Sequence, residues 1–287
     1  MKIARIEIGG VVKYGVVRND YVVIINDLLR PAESGELYKL SEVKLLAPLQ
    51  PQAVFCALVN SPLMLGARNK EEAREMLGAP KFFLKLPHIV IGPNEVVIAP
   101  RSGIRPEAEL GVVVYKKLKY ATVREAEEAI LGYTVFNDVT APGEFKHDFY
   151  YAYRRDPVDG VVKKQLIRGP HFRNKNRDGF APMGPWIVTP EEIGDVLDIT
   201  LRSYYDGRLI QEGKLSELIY SPIELLVELS KIVTIPPFSV IATGTPGYIG
   251  VEDPSEYRLP AMRTVMAVEA DKVGLLENPV EVENFSN

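Results

Sequence analysis

The feature that most restricts the fold is a pair of glutamates, Glu107 and Glu109, at the start of an apolar run. They stand in Arg-Pro-Glu-Ala-Glu-Leu-Gly-Val-Val-Val, a pattern typical of a β-strand that enters a protein core. Because residues two apart on a strand share one face, both carboxylates should point in the same direction. Asp138 ends a second run of strand-forming residues, Tyr-Thr-Val-Phe, and could bring a third carboxylate to the same place.

Three converging carboxylates repel one another and lose hydration, so they stay ionised together only where a cation compensates them. Ligands that are all oxygen suit Mg²⁺ or Mn²⁺, with coordination positions left for water or substrate. The pattern therefore indicates a metal-assisted enzyme. An alternative stays open at this point, because charged residues at a strand start are usually solvated and an Asn-Asp pair usually forms a turn.

The charge balance and the lone cysteine limit the class of protein. With 34 basic and 38 acidic residues, the chain as a whole is not built to bind nucleic acid or an anionic membrane. No apolar run approaches the roughly 20 residues of a membrane span, and the first residues alternate like a strand rather than a secretory signal. Cys56 lies in an apolar run, where a buried, inert thiol is expected, and one cysteine excludes an intrachain disulfide. We therefore expect a soluble, cytoplasmic protein.

Strand patterns predict a β-rich chain in two parts. Residues 1 to about 50 are expected to form a small β-rich N-terminal domain, with strands at 3–8, 11–17 and 21–25. Residues 51–287 are expected to form the catalytic domain, with strand signals at 53–59, 95–99, 109–115, 133–137, 186–188, 198–205, 239–243 and 263–269. Because strands outnumber helices and do not alternate with them, we predict a β-rich α+β fold rather than a Rossmann sheet or a β/α barrel.

Three helices are predicted from capping boxes, in which a hydroxyl at the helix start is answered by a glutamate three residues later. They begin at Thr122, Thr189 and Ser221. Residues 143–178, called the lid below, are polar, basic and rich in tyrosine, with little periodicity. A segment of this length without a clear pattern is usually functional or disordered, so we expect a lid or an extended loop.

Four motifs in a fixed order carry a resemblance to a known family. They are Gly132-Tyr-Thr-Val-Phe-Asn-Asp138, Asp178-Gly-Phe-Ala-Pro-Met-Gly-Pro-Trp186, Gln211-Glu-Gly213 and Ile241-Ala-Thr-Gly-Thr-Pro246. Together they resemble the fumarylacetoacetate hydrolase superfamily over about residues 50–283. Within it, Asn174-Lys-Asn-Arg-Asp178 and Leu275-Leu-Glu-Asn-Pro-Val280 look most like the decarboxylase/isomerases of the homoprotocatechuate pathway, which degrades 4-hydroxyphenylacetate. The resemblance implies the family's roll of mixed β-sheets (the fumarylacetoacetase C-terminal-like fold) with a few covering helices, usually as a homodimer.

The resemblance also implies roles for individual residues. Glu107, Glu109 and Asp138 match the family's divalent-metal ligands, so the implied cofactor is Mg²⁺ or Mn²⁺. Lys175 lies in the register of the active-site lysine. By its chemistry alone, Lys175 stands among other basic residues and would be a solvated surface charge.

Three further residues are candidates for substrate contact or proton transfer. Gln211 matches a glutamine that contacts substrate, and Thr245 matches a threonine near the substrate carboxylate. His147, beside Asp148 on the lid, is a candidate proton donor, with an ordinary surface histidine as the alternative. His88 and His171 have less in their surroundings to recommend them.

The chain departs from the family pattern at several positions. Where members have Gly-x-Asn-Tyr-x-x-His, this chain has Ala57-Leu-Val-Asn60-Ser-Pro-Leu, so the histidine that activates water in the hydrolases is not in its place. Pro142 replaces a substrate-binding arginine, and Leu215 replaces a threonine. These departures argue against hydrolysis. Candidate replacements for the arginine lie in the lid, although a solvated or dimer-facing loop would explain them equally: Arg154, Arg155, Arg168 and Arg173.

The resemblance implies a metal-dependent decarboxylase or isomerase that acts on a di- or tricarboxylic 2-oxo acid from aromatic catabolism. Such an acid chelates a divalent ion through its carboxylate and keto oxygens, and the ion stabilises the enolate that decarboxylation and isomerisation share. Two alternatives stay open. The first is an acylpyruvate-type hydrolase or a sugar-acid dehydratase of the same fold, and the second is a metal-binding scaffold without turnover.

Overall fold

Strands dominate the structure, a computed structural model in which residues 1–255 and 257–284 are described. Among these residues the strands are β1 Lys2–Ile8, β2 Val11–Arg18, β3 Tyr21–Ile25, β4 Glu33–Lys39, β5 Lys44–Leu45, β6 Val54–Leu58, β7 Lys81–Lys85, β8 Val90–Ile91, β9 Val97–Ala99, β10 Ala108–Val114, β11 Ile130–Asn137, β12 Tyr150–Arg155, β13 Val162–Ile167, β14 Ala181–Val188, β15 Thr200–Tyr205, β16 Arg208–Lys214, β17 Ser239–Ala242, β18 Thr264–Ala270 and β19 Gly274–Val282. The α-helices are α1 Pro62–Leu65, α2 Lys70–Leu77, α3 Val123–Glu127, α4 Pro142–Phe145, α5 Pro190–Ile193 and α6 Pro222–Ile232. Single 3₁₀ turns cover Leu40–Glu42, Pro87–Ile89, Lys146–Asp148, Val196–Asp198 and Leu215–Glu217.

Two sheets form the body of the protein. The larger one runs β4-β3-β2-β1-β14-β11-β10-β17-β6-β7, with β5 beside β1 and β8 beside β14, and the smaller one runs β16-β15-β18-β19-β9. Strands β10, β11 and β14 pack against β15, β18 and β19. Most neighbouring strands are antiparallel, but β17–β6, β14–β8 and β19–β9 are parallel. The predicted β-rich α+β fold with mixed sheets is therefore confirmed.

The apolar core lies on both faces of β10, which is buried over its whole length. Leu110 and Val112 face one cluster of buried side chains, whereas Val113 faces the other. Helix α6 covers the first cluster through Leu225 and Leu229. A strand buried on both faces is normally apolar throughout, so a glutamate on β10 needs a specific compensating partner.

The N-terminal strands β1 to β4 form an antiparallel meander, and the strands predicted at 3–8, 11–17 and 21–25 are confirmed within a residue or so. Strand β1 also pairs with β14, through Lys2 opposite Val188 and Ile3 opposite Ile187. The meander therefore extends the large sheet. A domain division near residue 50 stays a prediction.

Capping residues mark the helix starts. The boxes predicted at Thr122 and Ser221 are both formed, at α3 and α6. Helix α5 begins after Thr189 as predicted, but it is a single turn and the Thr189 side chain makes no capping bond. Helix α2 was missed because Asn69, an amide rather than a hydroxyl, accepts from the Glu72 N–H. In the described parts of the chain, no helix has both the length and the apolarity to cross a bilayer.

The lid is more regular than its sequence indicated. Strands β12 and β13 form an antiparallel hairpin that pairs with no other strand, from Tyr150 opposite Ile167 to Arg155 opposite Val162. The expectation of an extended loop is corrected over these residues. No buried face imposes an alternation of apolar and polar residues on this hairpin, which is why its sequence lacks periodicity.

Some strands of the body were also hidden from pattern analysis. The strand predicted at 186–188 begins earlier, at Ala181. The prediction was too short because Pro182 and Pro185 normally argue against a strand, but β14 accommodates both beside β8 and β11. Strand β19 contains Pro279 and was missed for the same reason. The hairpin turn predicted at Asp206-Gly207 is confirmed between β15 and β16.

Candidate active site

The three predicted metal ligands meet where β10 and β11 lie side by side. Glu107 immediately precedes β10, Glu109 is its second residue, and Asp138 immediately follows β11. The register places Ala108 opposite Asn137, and the Asp138 N–H donates to the Glu107 carbonyl oxygen at 3.0 Å. One oxygen from each carboxylate lies within 4.8 Å of the others, and all three residues are buried. The alternation argument thus placed the two glutamates correctly.

Glu107 is held as an anion by its neighbours. Its Oε1 accepts from Arg105 Nε at 2.9 Å and from the Tyr248 hydroxyl at 2.7 Å, and its Oε2 accepts from Lys175 Nζ at 2.7 Å. Burial alone would raise the pKa of Glu107, but the charges of Lys175 and Arg105 lower it below its usual range. The position and charge of this carboxylate are therefore both fixed by the protein.

Asp138 lies between two buried ammonium groups. Lys175 donates to its Oδ2, and Lys85 Nζ lies 2.8 Å from its Oδ1. Lys85 directs its three protons at backbone carbonyl oxygens, those of Val139, Lys175 and Phe180, at 3.0, 2.9 and 2.6 Å. Its approach to Oδ1 is an ion pair between two buried groups. Among the described residues, Asp138 Oδ1 has no hydrogen-bond donor.

Glu109 differs from the other two carboxylates in how its negative charge is balanced by neighbouring groups. Within the described residues it makes no ion pair, and its Oε2 accepts from the Gly244 N–H at 2.8 Å. Burial, followed by the nearby charge of Asp138, raises the pKa of Glu109 well above its usual range. In the absence of a cation, both effects favour the neutral form of this side chain.

The residues present fit a divalent cation. Asp138 Oδ1 is a buried acceptor without a donor among the described residues, and Glu109 is a buried carboxyl group without a counter-charge. An oxygen-preferring cation among the three carboxylates would satisfy both groups. The donor set is all oxygen, which is the chemistry predicted from the sequence.

Lys175 is placed between the carboxylates rather than on the surface. Besides Glu107 and Asp138, its Nζ donates to the Thr140 hydroxyl at 2.7 Å. Burial would lower the pKa of Lys175, but the charges of Asp138 and Glu107 raise it above its usual range. The alternative of a solvated surface lysine is excluded by this burial.

Thr245 lines the cavity, and Gln211 supports it from behind. The Thr245 hydroxyl donates to Gln211 Oε1 at 3.1 Å. The same oxygen accepts from the Ser203 hydroxyl at 2.8 Å and from the Ala108 N–H at 3.0 Å, while Gln211 Nε2 donates to the Pro246 carbonyl oxygen at 2.7 Å. Gln211 is fully buried and is not part of the cavity wall. Its contacts support a positioning role and not the predicted contact with substrate.

The loop that follows β6 is anchored by Asn60. Its Nδ2 donates to the carbonyl oxygens of Tyr220 and Thr243 at 2.9 and 2.7 Å, and its Oδ1 accepts from the Tyr220 N–H at 2.9 Å. Gly244 has a φ of +88°, and a Cβ at this position would lie 2.6 Å from Asn60 Cβ. Glycine therefore allows the close approach that directs the Gly244 N–H at Glu109.

The carboxylates open into a cavity of about 830 Å³. Its wall is largely apolar with a few charged groups, the usual composition of a small-molecule site. Apolar lining residues include Phe83, Phe145, Phe149 and Met64. The other charged lining residues are Arg105, Arg168, Glu252 and Asp253.

The histidine that lies at the cavity is not the one preferred from the sequence. His171, for which the sequence offered little support, lines the cavity. His147, the predicted candidate, is exposed and is not part of the cavity wall, and His88 is exposed beside a different surface depression. The local sequence around His147 and Asp148 could not reveal which histidine the lid turns inwards.

Among the four lid arginines named as candidates, Arg168 is the one that lines the cavity. Arg173 pairs with Asp148 at 3.2 Å, and Arg154 and Arg155 are exposed on β12. Arg168 is therefore the lid cation best placed to replace the family arginine at the position of Pro142.

Sequence reasoning missed three residues that hold the carboxylates: Lys85, Arg105 and Tyr248. A signal was available for Arg105, because it stands two residues before Glu107 in an extended segment and so shares its face. Lys85 ends a strand whose other lysine, Lys81, is exposed, so its sequence pattern contains nothing that predicts burial. Tyr248 lies in a loop, where side-chain direction has no local period.

Two family models match this chain. The model described as fumarylacetoacetate (FAA) hydrolase C-terminal matches residues 53–281, and the model described as Rv2993c-like, N-terminal matches residues 1–48. The first match includes all three carboxylates and Lys175. Together the two matches cover nearly all of the chain.

Named relatives and a solved structure are similar over most of the chain. The chain is 33% identical over 229 residues to the 4-hydroxyphenylacetate degradation bifunctional isomerase/decarboxylase of Salmonella dublin. The aligned region covers 78% of this chain and 47% of that protein. The chain is 30% identical over 243 residues to the mitochondrial oxaloacetate tautomerase fahd2 of Xenopus laevis, covering 84% and 69%. The crystal structure of 2-hydroxyhepta-2,4-diene-1,7-dioate isomerase from Mycobacterium marinum matches with a TM-score of 0.79 at 25% identity, covering 99% and 100%. This chain thus spans about half the length of the Salmonella protein.

Proposed function

Because this chain belongs to the fumarylacetoacetate hydrolase family, we propose that it is a divalent-metal-dependent enzyme that decarboxylates or isomerises a di- or tricarboxylic 2-oxo acid. The named relatives support this choice, since they include an isomerase/decarboxylase and an oxaloacetate tautomerase. The first name refers to isomerisation and decarboxylation, and the second refers to the tautomerisation of oxaloacetate, which is a 2-oxo acid. A place in the catabolism of aromatic compounds is suggested by the first relative alone and belongs to the proposal.

The observation that carries the proposal is the buried carboxylate triad with one uncompensated member, Glu109. A divalent cation held by Glu107, Glu109 and Asp138 would polarise the keto oxygen of a 2-oxo acid and stabilise the negative charge that develops there. The protein holds the carboxylates in place before any ligand arrives, through Arg105 on one side and Gly244 on the other. Such preorganisation removes the cost of arranging charges during the reaction.

Lys175 and the lid arginine supply positive charge to the cavity. The ammonium group of Lys175 is fixed beside Glu107 and Asp138, where its positive charge can stabilise an oxyanion that forms next to the carboxylates. Arg168 faces the same cavity and is the candidate partner for a second, distal carboxylate of the substrate. Two separated cationic groups favour substrates with more than one carboxylate.

The cavity wall favours proton and CO₂ chemistry over hydrolysis. Met64, in α1, lines the cavity directly after the stretch from Ala57 to Leu63, where other members of the family carry a histidine and this chain offers no base to activate water. Phe145 and Phe149 form part of the wall on the lid side and limit access of bulk water. Decarboxylation and enol–keto conversion need no activated water. Both reactions are therefore preferred to the hydrolase and dehydratase alternatives.

Enzyme assays test this proposal directly. Purified protein is given a panel of 2-oxo acids with Mg²⁺ or Mn²⁺, and CO₂ release and enol–keto conversion are followed. Turnover should require the metal, and Glu109→Ala should lower it by roughly 1,000-fold, the scale expected for loss of electrostatic stabilisation. Glu127→Ala, an exposed glutamate on α3, is the matched control and should leave turnover unchanged. Metal binding without turnover of any acid would favour a hydrolase, a dehydratase or a non-catalytic scaffold instead.

The assembly and location of the enzyme are further parts of the proposal. We propose a homodimer in the cytoplasm, as the family resemblance implies. Light scattering of the purified protein decides the first point, because a monomeric mass would contradict it.

A further inference from the structure

His171 occupies a position in the cavity that the proposed chemistry leaves without a role. Its ring stacks on Phe145, with ring centroids 4.1 Å apart and planes inclined by 12°, and it lies 6.3 Å from the ring of Phe83. These contacts hold the imidazole in one orientation, and His171 is part of the cavity wall. Of the three histidines in the chain, it is the one that lines this cavity.

Asn174 holds the other edge of the imidazole. Its side-chain Nδ2 lies 3.2 Å from His171 Nδ1. Asn174 is buried, and its Oδ1 has no hydrogen-bond donor among the described residues. The oxygen and the NH₂ group of a side-chain amide have nearly the same shape, so the amide can be rotated by half a turn. The rotation places Asn174 Oδ1 beside His171 Nδ1, where this oxygen accepts a hydrogen bond from Nδ1–H. His171 then presents a free lone pair on Nε2.

From this geometry, and resting on the function proposed above, we infer that His171 is the base that carries the proton in keto–enol conversion of the 2-oxo acid, with Asn174 as its positioning residue. The arrangement has the general form of a histidine oriented by an asparagine oxygen. It assigns the acid–base role to the lid, since the segment from Ala57 to Met64, which contributes to another part of the wall, contains no histidine.

The proton transfer balances without any further reactant. In the keto acid, the bond between C3 and its hydrogen breaks, and the proton forms a new bond to Nε2 of neutral His171. The electron pair of that bond becomes the C2–C3 double bond, and the carbonyl π pair moves onto the C2 oxygen. The imidazolium is stabilised by Nδ1–H donation to Asn174, and it returns its proton to C3 or to the enolate oxygen.

The surroundings of His171 keep it ready to accept a proton. Burial, followed by the charge of Lys175, lowers the pKa of His171 to about 4. Asp138, Glu107 and Asp148 act in the opposite direction but do not outweigh these effects. At neutral pH the imidazole is therefore unprotonated, which is the state that a base requires.

Deuterium exchange tests the assignment with oxaloacetate as the probe. The Mg²⁺-dependent incorporation of deuterium at C3 in D₂O is measured by NMR, with the uncatalysed rate subtracted. His171→Gln should lower this rate by about 100-fold or more, the usual contribution of a general base. His88→Gln, which removes an exposed histidine elsewhere, should keep the wild-type rate. Mn²⁺ affinity by calorimetry should be the same in all three proteins.

Further outcomes separate a base from a structural residue. Imidazole added to His171→Ala should restore part of the deuterium exchange, which a purely structural role would not allow. If His171→Gln folds poorly, this rescue of His171→Ala decides whether His171 is the base. Retained exchange in His171→Gln, a loss in His147→Gln instead, or a loss of Mn²⁺ affinity would each overturn the assignment and leave the proposed function standing. A wild-type protein without metal-dependent exchange or turnover would overturn both.

Discussion

The ligand-bearing strands and the lid meet at the same cavity but are held in different ways. Strand β10 is buried throughout, and the carboxylates beside it are fixed by neighbouring side chains and by backbone N–H groups. The hairpin of the lid pairs with no other strand and exposes Tyr151 and Tyr153. The lid is packed against the site near both of its ends, through Phe145 and Phe149 and through His171 and Lys175.

This difference indicates that the ligand-bearing strands and the lid have separate roles. A cation site needs ligand atoms whose positions scarcely vary, and two central strands buried on both faces provide that rigidity. A lid tolerates changes in length and sequence because few buried contacts depend on it. We therefore expect changes in the strands to affect stability and changes in the lid to affect the choice of reaction. Three experiments test this contrast, from the largest expected effect to the smallest.

Lys85→Met should cause the largest loss of stability. The substitution removes the charge beside Asp138 and leaves three buried carbonyl oxygens without their donor. Breaking such a buried pair costs about 3–5 kcal/mol of unfolding free energy. Lys81→Met on the same strand is the matched control, because Lys81 is exposed, and it should change the free energy by less than about 0.5 kcal/mol. If urea denaturation gave the same free energy of unfolding for Lys85→Met and Lys81→Met, the contrast between core and surface would be contradicted.

The stability contributed by His171 should depend on pH. Its folded pKa, about 4, lies below the ordinary value of 6.5, so between these values the unfolded chain binds a proton that the folded chain does not. The free energy of unfolding therefore falls as the pH drops through this window. Allowing for the exposed part of the ring, the advantage of wild type over His171→Gln should shrink by about 1 kcal/mol between pH 7 and pH 5.

The comparison requires a lid variant without a titrating group as its control. Val158 is 93% exposed at the tip of the hairpin, and Val158→Ser should differ from wild type by the same amount at both pH values. A constant difference for His171→Gln as well would mean that the ring is not packed against the body as described.

Tyr153→Ser should have the smallest effect. The side chain is 70% exposed on a hairpin that pairs with no other strand, so the loss should stay within about 0.5 kcal/mol. Tyr205, which is buried on β15 and donates to the Pro260 carbonyl oxygen at 2.6 Å, is the matched core position, and Tyr205→Ser should cost about 3–5 kcal/mol. A cost above about 1.5 kcal/mol at Tyr153 would indicate that a second subunit covers the hairpin in solution.

The predictions that succeeded rest on local patterns. The capped starts of α3 and α6 follow from hydroxyl and carboxylate groups three residues apart, and that spacing brings the groups together in any helix. The shared direction of Glu107 and Glu109 follows from the alternation of a strand in the same way. Asp138 was a candidate third carboxylate because it ends a strand pattern, whereas Lys175 required the family resemblance, because nothing local joins it to the pair.

The features that local patterns could not predict concern side chains whose surroundings come from distant parts of the chain. Gln211 lies behind the cavity wall because the Ala108 N–H, 103 residues away, occupies its oxygen. His171 and His147 look alike in sequence, and the path of the lid decides which of them reaches the cavity. Lys85 is buried because three carbonyl oxygens from residues far along the chain converge on it.

Local sequence patterns were sufficient to predict the strand-rich fold class, two capped helices and the common face of the two glutamates, since each depends on residues two or three positions apart. Which charges meet depends on the packing of the whole chain. Lys175 reaches Glu107 across 68 residues and Asp138 across 37, and packing two sheets around β10 takes these groups out of water together. Charge compensation in a buried site depends on such distances, which no local period encodes.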